Sequence, residues 1–105
     1  MRSMVNVPKT ARAGDIIEIK TMIAHPMETG YRTGVNGTTI PRNIITRFVC
    51  LYNDEEVFSA ELFPAIAANP LIAFTTVAVQ SGSLTFAWTD DSGTTHKASA
   101  EIVVE

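Results

Sequence analysis

The sequence offers one thiol, Cys50, and two imidazoles, His25 and His96, as its possible nucleophile, bases and soft metal ligands. A working cysteine nucleophile needs a lowered pKa, a base within hydrogen-bond reach and a third group that orients the base. No third group stands at a telling spacing from either histidine. Cys50 lies two residues from Phe48 and two from Tyr52 in an apolar run, which points its thiol toward the core, where burial raises the pKa and leaves it inert. Metal chemistry fares no better, because an all-β iron or copper site usually draws on three or more His or Cys ligands. A small His25/Cys50 metalloenzyme is the weakest of the readings.

Asp90-Asp91-Ser92-Gly93 lacks the ligand spacing of a calcium loop and reads as a hairpin turn. Asp54, Glu55 and Glu56 flank another turn, and Gly30, Gly34 and Gly37 do not open a helix as a phosphate cradle would. The residues therefore predict no catalytic, cofactor or metal site and point to a binding or assembly module.

The stretch that would present such a module's contacts is residues 24–42. It holds His25, three of the six glycines and two of the five prolines, and it separates two long strand-like segments. X-Pro pairs at both ends bias His25 and Ile40 toward extended conformations. Met27, Tyr31, Val35 and Ile40 recur at intervals, so the loop reads as an ordered surface structure, and loops held by a rigid scaffold are where binding tends to sit.

The elements that must hold this loop read as strands. In residues 15–24, Ile17, Ile19, Thr21 and Ile23 share one face at a period of two, behind an Ala13-Gly14 turn. Met4 to Val7 is a short edge strand ended by Pro8. Ile44 to Tyr52 and Leu71 to Val79 are apolar on both faces, as expected of strands covered on both sides. Asn53-Asp54 turns the first of these into a hairpin with Glu56 to Leu62, and the piece around Ala65 to Asn69 reads as a crossover. Leu84, Phe86 and Trp88 share the inner face of the next strand. The last, Thr94 to Val104, turns His96, Ala98, Ala100, Ile102 and Val104 inward. Six or seven strands with regular turns and no convincing helix predict an all-β, immunoglobulin-like β-sandwich, a single domain spanning residues 1–105.

At 105 residues, 46% hydrophobic and 18% charged, the chain has material for one core. A net charge of −3 argues against nucleic-acid partners. Its apolar runs are far shorter than the roughly 20 residues of a membrane span, so no membrane insertion is expected. The N-terminal residues show no secretory signal, which favours the cytoplasm unless the chain is exported bound to another protein. With one cysteine, no disulfide forms within the chain.

Six motifs in order, His25-Pro26-Met27-Glu28-Thr29-Gly30, Ile40-Pro41-Arg42, Phe48-Val49-Cys50, Val57-Phe58, Ala67-Ala68-Asn69-Pro70 and Trp88-Thr89-Asp90-Asp91-Ser92-Gly93, resemble the SoxZ family, the Z subunits of the SoxYZ sulfur-oxidation carrier. The resemblance runs from about Val7 to the C-terminus. It implies a heterodimer with SoxY, in which the partner's C-terminal cysteine carries the sulfur. This chain is then a non-catalytic scaffold that needs no cofactor and makes transient contact with other sulfur-oxidation enzymes. It also implies a periplasmic location, reached by co-export with the signal-bearing SoxY. The expected interface comprises His25, Pro26, Met27, Glu28, Arg32, Ile40, Pro41 and Arg42 from the loop, Asn69 and Pro70 from the crossover, and Val49 and Leu51 on the outer side of their strand. SoxY is expected to cover Val49, Leu51 and part of the Leu71 to Val79 strand together, with His25, Glu28, Arg32 and Arg42 as a polar rim. The reading from a different class is a stand-alone immunoglobulin-like domain that binds carbohydrate or another protein.

Overall fold

The alternating patterns resolve into eight strands in a computed structural model that describes residues 2–64 and 66–105. In chain order they are β1 (Ser3–Asn6), β2 (Thr10–Ala11), β3 (Ile16–Ile23), β4 (Ile45–Tyr52), β5 (Glu55–Glu61), β6 (Leu71–Val77), β7 (Gly82–Asp90) and β8 (Thr95–Val104). They form a three-stranded sheet, β1-β3-β6, and a five-stranded sheet, β2-β8-β7-β4-β5. Seven strands correspond to those expected from the periodicity. The additional one is β2, whose two residues pair parallel with Val103 and Val104 at the end of β8.

The two sheets face each other across an aromatic core, as in an immunoglobulin-like sandwich. Phe48 of β4 sits at its centre, with ring centroids 5.4 Å from Trp88, 6.1 Å from Phe74 and 6.3 Å from Phe86. Phe58 stacks on Phe74 at 4.4 Å, joining the β5 edge of one sheet to the β6 edge of the other. Ile19, Ile23, Ile45, Leu84 and Cys50 complete the buried interior.

Turn chemistry sets the register. Asn53 and Asp54 both have positive φ, 48° and 67°, the pair of values that a type I′ turn requires, and this joins β4 to β5 in a tight hairpin. The Asn53 side chain accepts from the Ser83 N–H at 3.0 Å and donates to the Ser81 carbonyl at 3.3 Å, tying this hairpin to the start of β7. A Cβ at Gly82 would fall 1.7 Å from the Asn53 Oδ1, so any larger residue would push the Asn53 side chain out of these two bonds. The connection from Leu62 to Pro70 carries the chain from β5 to β6 and hence between the sheets, as expected; Ala65 within it lies outside the described residues.

Candidate partner-docking site

Residues 24–43 form a two-limbed excursion rather than a slack loop. Glu28 and Asn43 exchange both backbone hydrogen bonds at 2.9 and 2.8 Å, and the Ile40 N–H donates to the Arg32 carbonyl at 2.8 Å. The Gly34 N–H closes the tip on the Thr38 carbonyl at 2.7 Å. The limbs approach so closely at Gly30 that a Cβ there would lie 3.1 Å from the Arg42 Cβ, on a backbone already at φ 89°. Glycine alone meets both demands.

Two clamps hold the base of this excursion. At its start the His25 N–H donates to the Asn69 Oδ1 at 3.0 Å, and the Asn69 N–H donates back to the His25 carbonyl at 2.7 Å. Asn69 makes this bond from the left-handed region, at φ 53°, which asparagine tolerates better than most residues. At its end Asp91 accepts from the Arg42 guanidinium at 2.9 and 3.2 Å and from the Ile44 N–H at 3.1 Å. The Arg42 hydrogen bond holds the Asp91 carboxyl below its ordinary pKa.

Beneath the clamps lies a buried polar cluster. His25 is 1% exposed, and its Nδ1 accepts the Met27 N–H at 3.0 Å, which fixes the ring as the Nε2–H tautomer. Burial pulls the His25 pKa down, opposed by the nearby Asp90 carboxylate. Asp90, itself buried, accepts from the Ser92 and Thr94 N–H groups and lies 3.4 Å from the His96 Nε2. Hydrogen bonding from Ser92 holds its carboxyl below the usual range. His25 Nε2 and Trp88 Nε1 are buried without a partner among the described residues.

This geometry divides the expected interface residues. Pro26, Arg32, Pro41 and Arg42 are exposed along the limbs, Glu28 and Ile40 are half-buried there, and Glu28 pairs with Arg32. His25, expected on the rim, and Met27 and Pro70, expected at the interface, do not lie at the surface. All three are buried in this chain, because His25 caps the turn at Met27, whose sulfur accepts the Ile45 N–H at 3.2 Å, while Pro70 closes the start of β6. Asn69 is exposed but acts first as the clamp. The sequence pattern did contain one missed signal. Asp90 falls in phase with Leu84, Phe86 and Trp88, which places a carboxylate on the core side of β7.

Val49 and Leu51 are half-buried on the outer face of the five-stranded sheet, around a depression of about 280 Å³ that Ala87 and Lys97 also line. Leu71 and Val77 are exposed on the outer face of the three-stranded sheet, and Val79 is exposed just beyond the end of β6. The expectation that one partner covers both sets at once is therefore corrected, since the two outer faces point away from each other across the sandwich. The second face is the more apolar. Its Met4, Met22 and Leu71 line a concavity of about 210 Å³, and Ile16 stands exposed beside Val77.

Cys50 is fully buried and its thiol pKa is pushed up to about 11 by desolvation. Among the described residues no three His, Cys, Asp or Glu side chains are grouped to hold a metal ion. No helix among them is long and apolar enough to cross a membrane.

Fold and site together define an immunoglobulin-like sandwich that carries a clamped, surface-presenting loop. The chain belongs to the SoxZ family: the model of sulphur oxidation protein SoxZ matches residues 4–101. No curated protein matches the chain. Among solved structures it is similar to a superoxide reductase (neelaredoxin) from Ignicoccus hospitalis, at TM-score 0.77 and 18% identity, covering 100% of this chain and 81% of that one. It is also similar to the sulfur carrier protein SoxY from Chlorobium limicola f. thiosulfatophilum, at TM-score 0.69 and 13% identity, covering 98% of this chain and 78% of that one. At these identities the two likenesses establish the shared fold.

Proposed function

We propose that this chain is the non-catalytic, non-carrying subunit of a SoxYZ-type sulfur carrier, pairing with SoxY while SoxY bears the sulfur intermediates. The observation that carries the reading is the position of the only thiol. In a sulfur-oxidation family member, Cys50 lies in the core with a pKa near 11, so it is neither ionised nor reachable as an attachment point. The exposed loop limbs, with Pro26, Arg32, Pro41, Arg42 and the Val49/Leu51 depression, form the surface for enzymes that visit the carrier transiently. Their polar edges and shallow apolar centre suit a weak, specific contact. The pair works in the periplasm, SoxY supplying the export signal for both.

Co-expression with the cognate SoxY, loading with thiosulfate and intact mass spectrometry test this. The expected result is a 1:1 complex with sulfur adducts on SoxY, an unmodified mass for this chain, and recovery of both in the periplasmic fraction. A sulfur adduct on Cys50, or thiosulfate consumption by this chain alone, would overturn it.

A further inference from the structure

The sandwich has four strand edges, and three are protected. β1 is four residues long and is followed by Pro8; β2 is two residues long between Lys9 and Arg12; β5 carries Glu55, Glu56 and Glu61 and faces a register shift at Cys50/Leu51. Short length, proline, charge and bulges are the usual devices that keep a sheet edge from pairing. β6 has none of them. From Leu71 to Val77 it contains no charged residue and no proline, and its register against β3 is unbroken over seven residues.

The phase of its backbone is fixed by its ends. The Ile23 N–H donates to the Pro70 carbonyl, the Gly14 N–H donates to the Ala78 carbonyl, and the Ala78 N–H donates to the Asp15 carbonyl. Even-numbered residues thus face β3, and the N–H and C=O groups of Leu71, Ala73, Thr75 and Val77 point off the open edge. No hydrogen bond among the described residues reaches them, and the side chains of the same four residues are exposed.

We infer that the open edge of β6 is where the SoxY subunit docks, adding one of its own strands antiparallel to β6 so that a single sheet continues across the heterodimer. The inference rests on the pairing reading above and specifies where and how pairing occurs. The cross-strand rows state what the added strand must offer. Met4–Met22–Leu71 forms one apolar row and Ile16–Val77 another, while between them Lys20–Ala73 and Glu18–Thr75 form a polar middle closed by a 3.4 Å Lys20–Glu18 ion pair. The incoming strand is therefore apolar at both ends and small or polar in the middle. A SoxY of known structure is built on the same sandwich, so the partner has sheet strands of this architecture to offer the edge.

Residue-resolved amide hydrogen exchange on the full chain, alone and with cognate SoxY, tests the inference. In the complex the amides of Leu71, Ala73, Thr75 and Val77 should exchange roughly tenfold or more slowly than in the free chain. Thr75→Pro removes an N–H that bonds nothing within the chain, so circular dichroism should show a folded variant, and its affinity for SoxY should fall about tenfold or more. Ser59→Lys on the protected β5 edge should bind as the parent does. A complex that forms while these four amides still exchange freely overturns the inference and leaves the pairing reading standing. Failure to form any complex overturns the pairing reading and this inference with it. Protection that appears without SoxY and grows with chain concentration shows that a second copy holds the edge, which also overturns the assignment.

Discussion

Replacing Asn69 separates the two things this residue does for the loop. Asn69→Gly keeps the backbone free to sit at φ 53° but removes the Oδ1 that accepts the His25 N–H. Leaving that half-buried donor unpaired costs about 1–2 kcal/mol. Asn69→Ala loses the same bond and keeps a Cβ in the left-handed region without the polar side chain by which asparagine tolerates it, roughly 1 kcal/mol more than glycine. The expected losses are then about 1–2 kcal/mol for glycine and about 2–3 kcal/mol for alanine, out of a total near 5–15 kcal/mol. For a domain of this size each kcal/mol moves the Tm by about 4–8 °C. Calorimetry should therefore rank parent above Asn69→Gly above Asn69→Ala. Hydrogen exchange at Glu28 and Asn43, whose amides close the base of the loop, should accelerate more than exchange in β7, because the clamp acts locally. Equal Tm values for the two variants would show that the positive φ imposes no constraint. A loss confined to β7 would show that Asn69 does not clamp the loop.

Trp88→Ala removes a fully buried ring packed against Phe48 and should cost about 3–5 kcal/mol, leaving little folded protein by circular dichroism, whereas Trp88→Phe, which also removes the unpartnered indole N–H, should fold. The lowered pKa of His25 makes stability pH-dependent: the unfolded chain takes up a proton as pH falls below about 6.5 while the folded chain does not, so stability is full above that value and declines from there down to the folded pKa. Urea midpoints across this window should fall for the parent and flatten for His25→Asn, whose side-chain oxygen can accept the Met27 N–H without titrating; an unchanged slope would remove His25 as the cause. Val49→Lys should leave the chain folded and its pairing with SoxY intact while lowering turnover by a reconstituted sulfur-oxidising system about tenfold; loss of the heterodimer instead would return SoxY to that face.

Inward periodicity was legible wherever one side of a strand is wet: Ile17, Ile19, Thr21 and Ile23 on β3, Leu84, Phe86 and Trp88 on β7, and the inner row of β8 are as the pattern predicts. The tight turn at Asn53-Asp54 was legible for the same local reason. β2 was not, because two residues carry no period and its partner lies at the far end of the chain. Nor could the pattern say that β4 and β6 belong to different sheets. A strand that is apolar on both sides announces that something covers it, without naming which side its own chain covers. The polar loop residues misled differently. His25 looked like a rim residue because histidine is polar, but its Nδ1 is consumed by a backbone N–H two residues on, an arrangement that depends on Met27 adopting φ 51°. Nothing in the residue types around it signals that conformation.

The same sandwich occurs in a superoxide reductase and in a sulfur carrier, so the fold leaves the function open and the direction in which reactive side chains point must decide it. Here they point inward. Cys50 faces the aromatic core, the lone pair of His25 holds a turn, Asp90 caps its own hairpin, and Asp91 holds Arg42 at the foot of the loop. Cys50 is sealed in the core and Asp90 holds its own hairpin, while His25 and Asp91 hold the loop, and exposed apolar side chains and the open edge of β6 stand at the surface among charged residues. In the proposed pairing with SoxY such a distribution suits association, since rigidity in the loop lowers the entropy that a contact would otherwise lose.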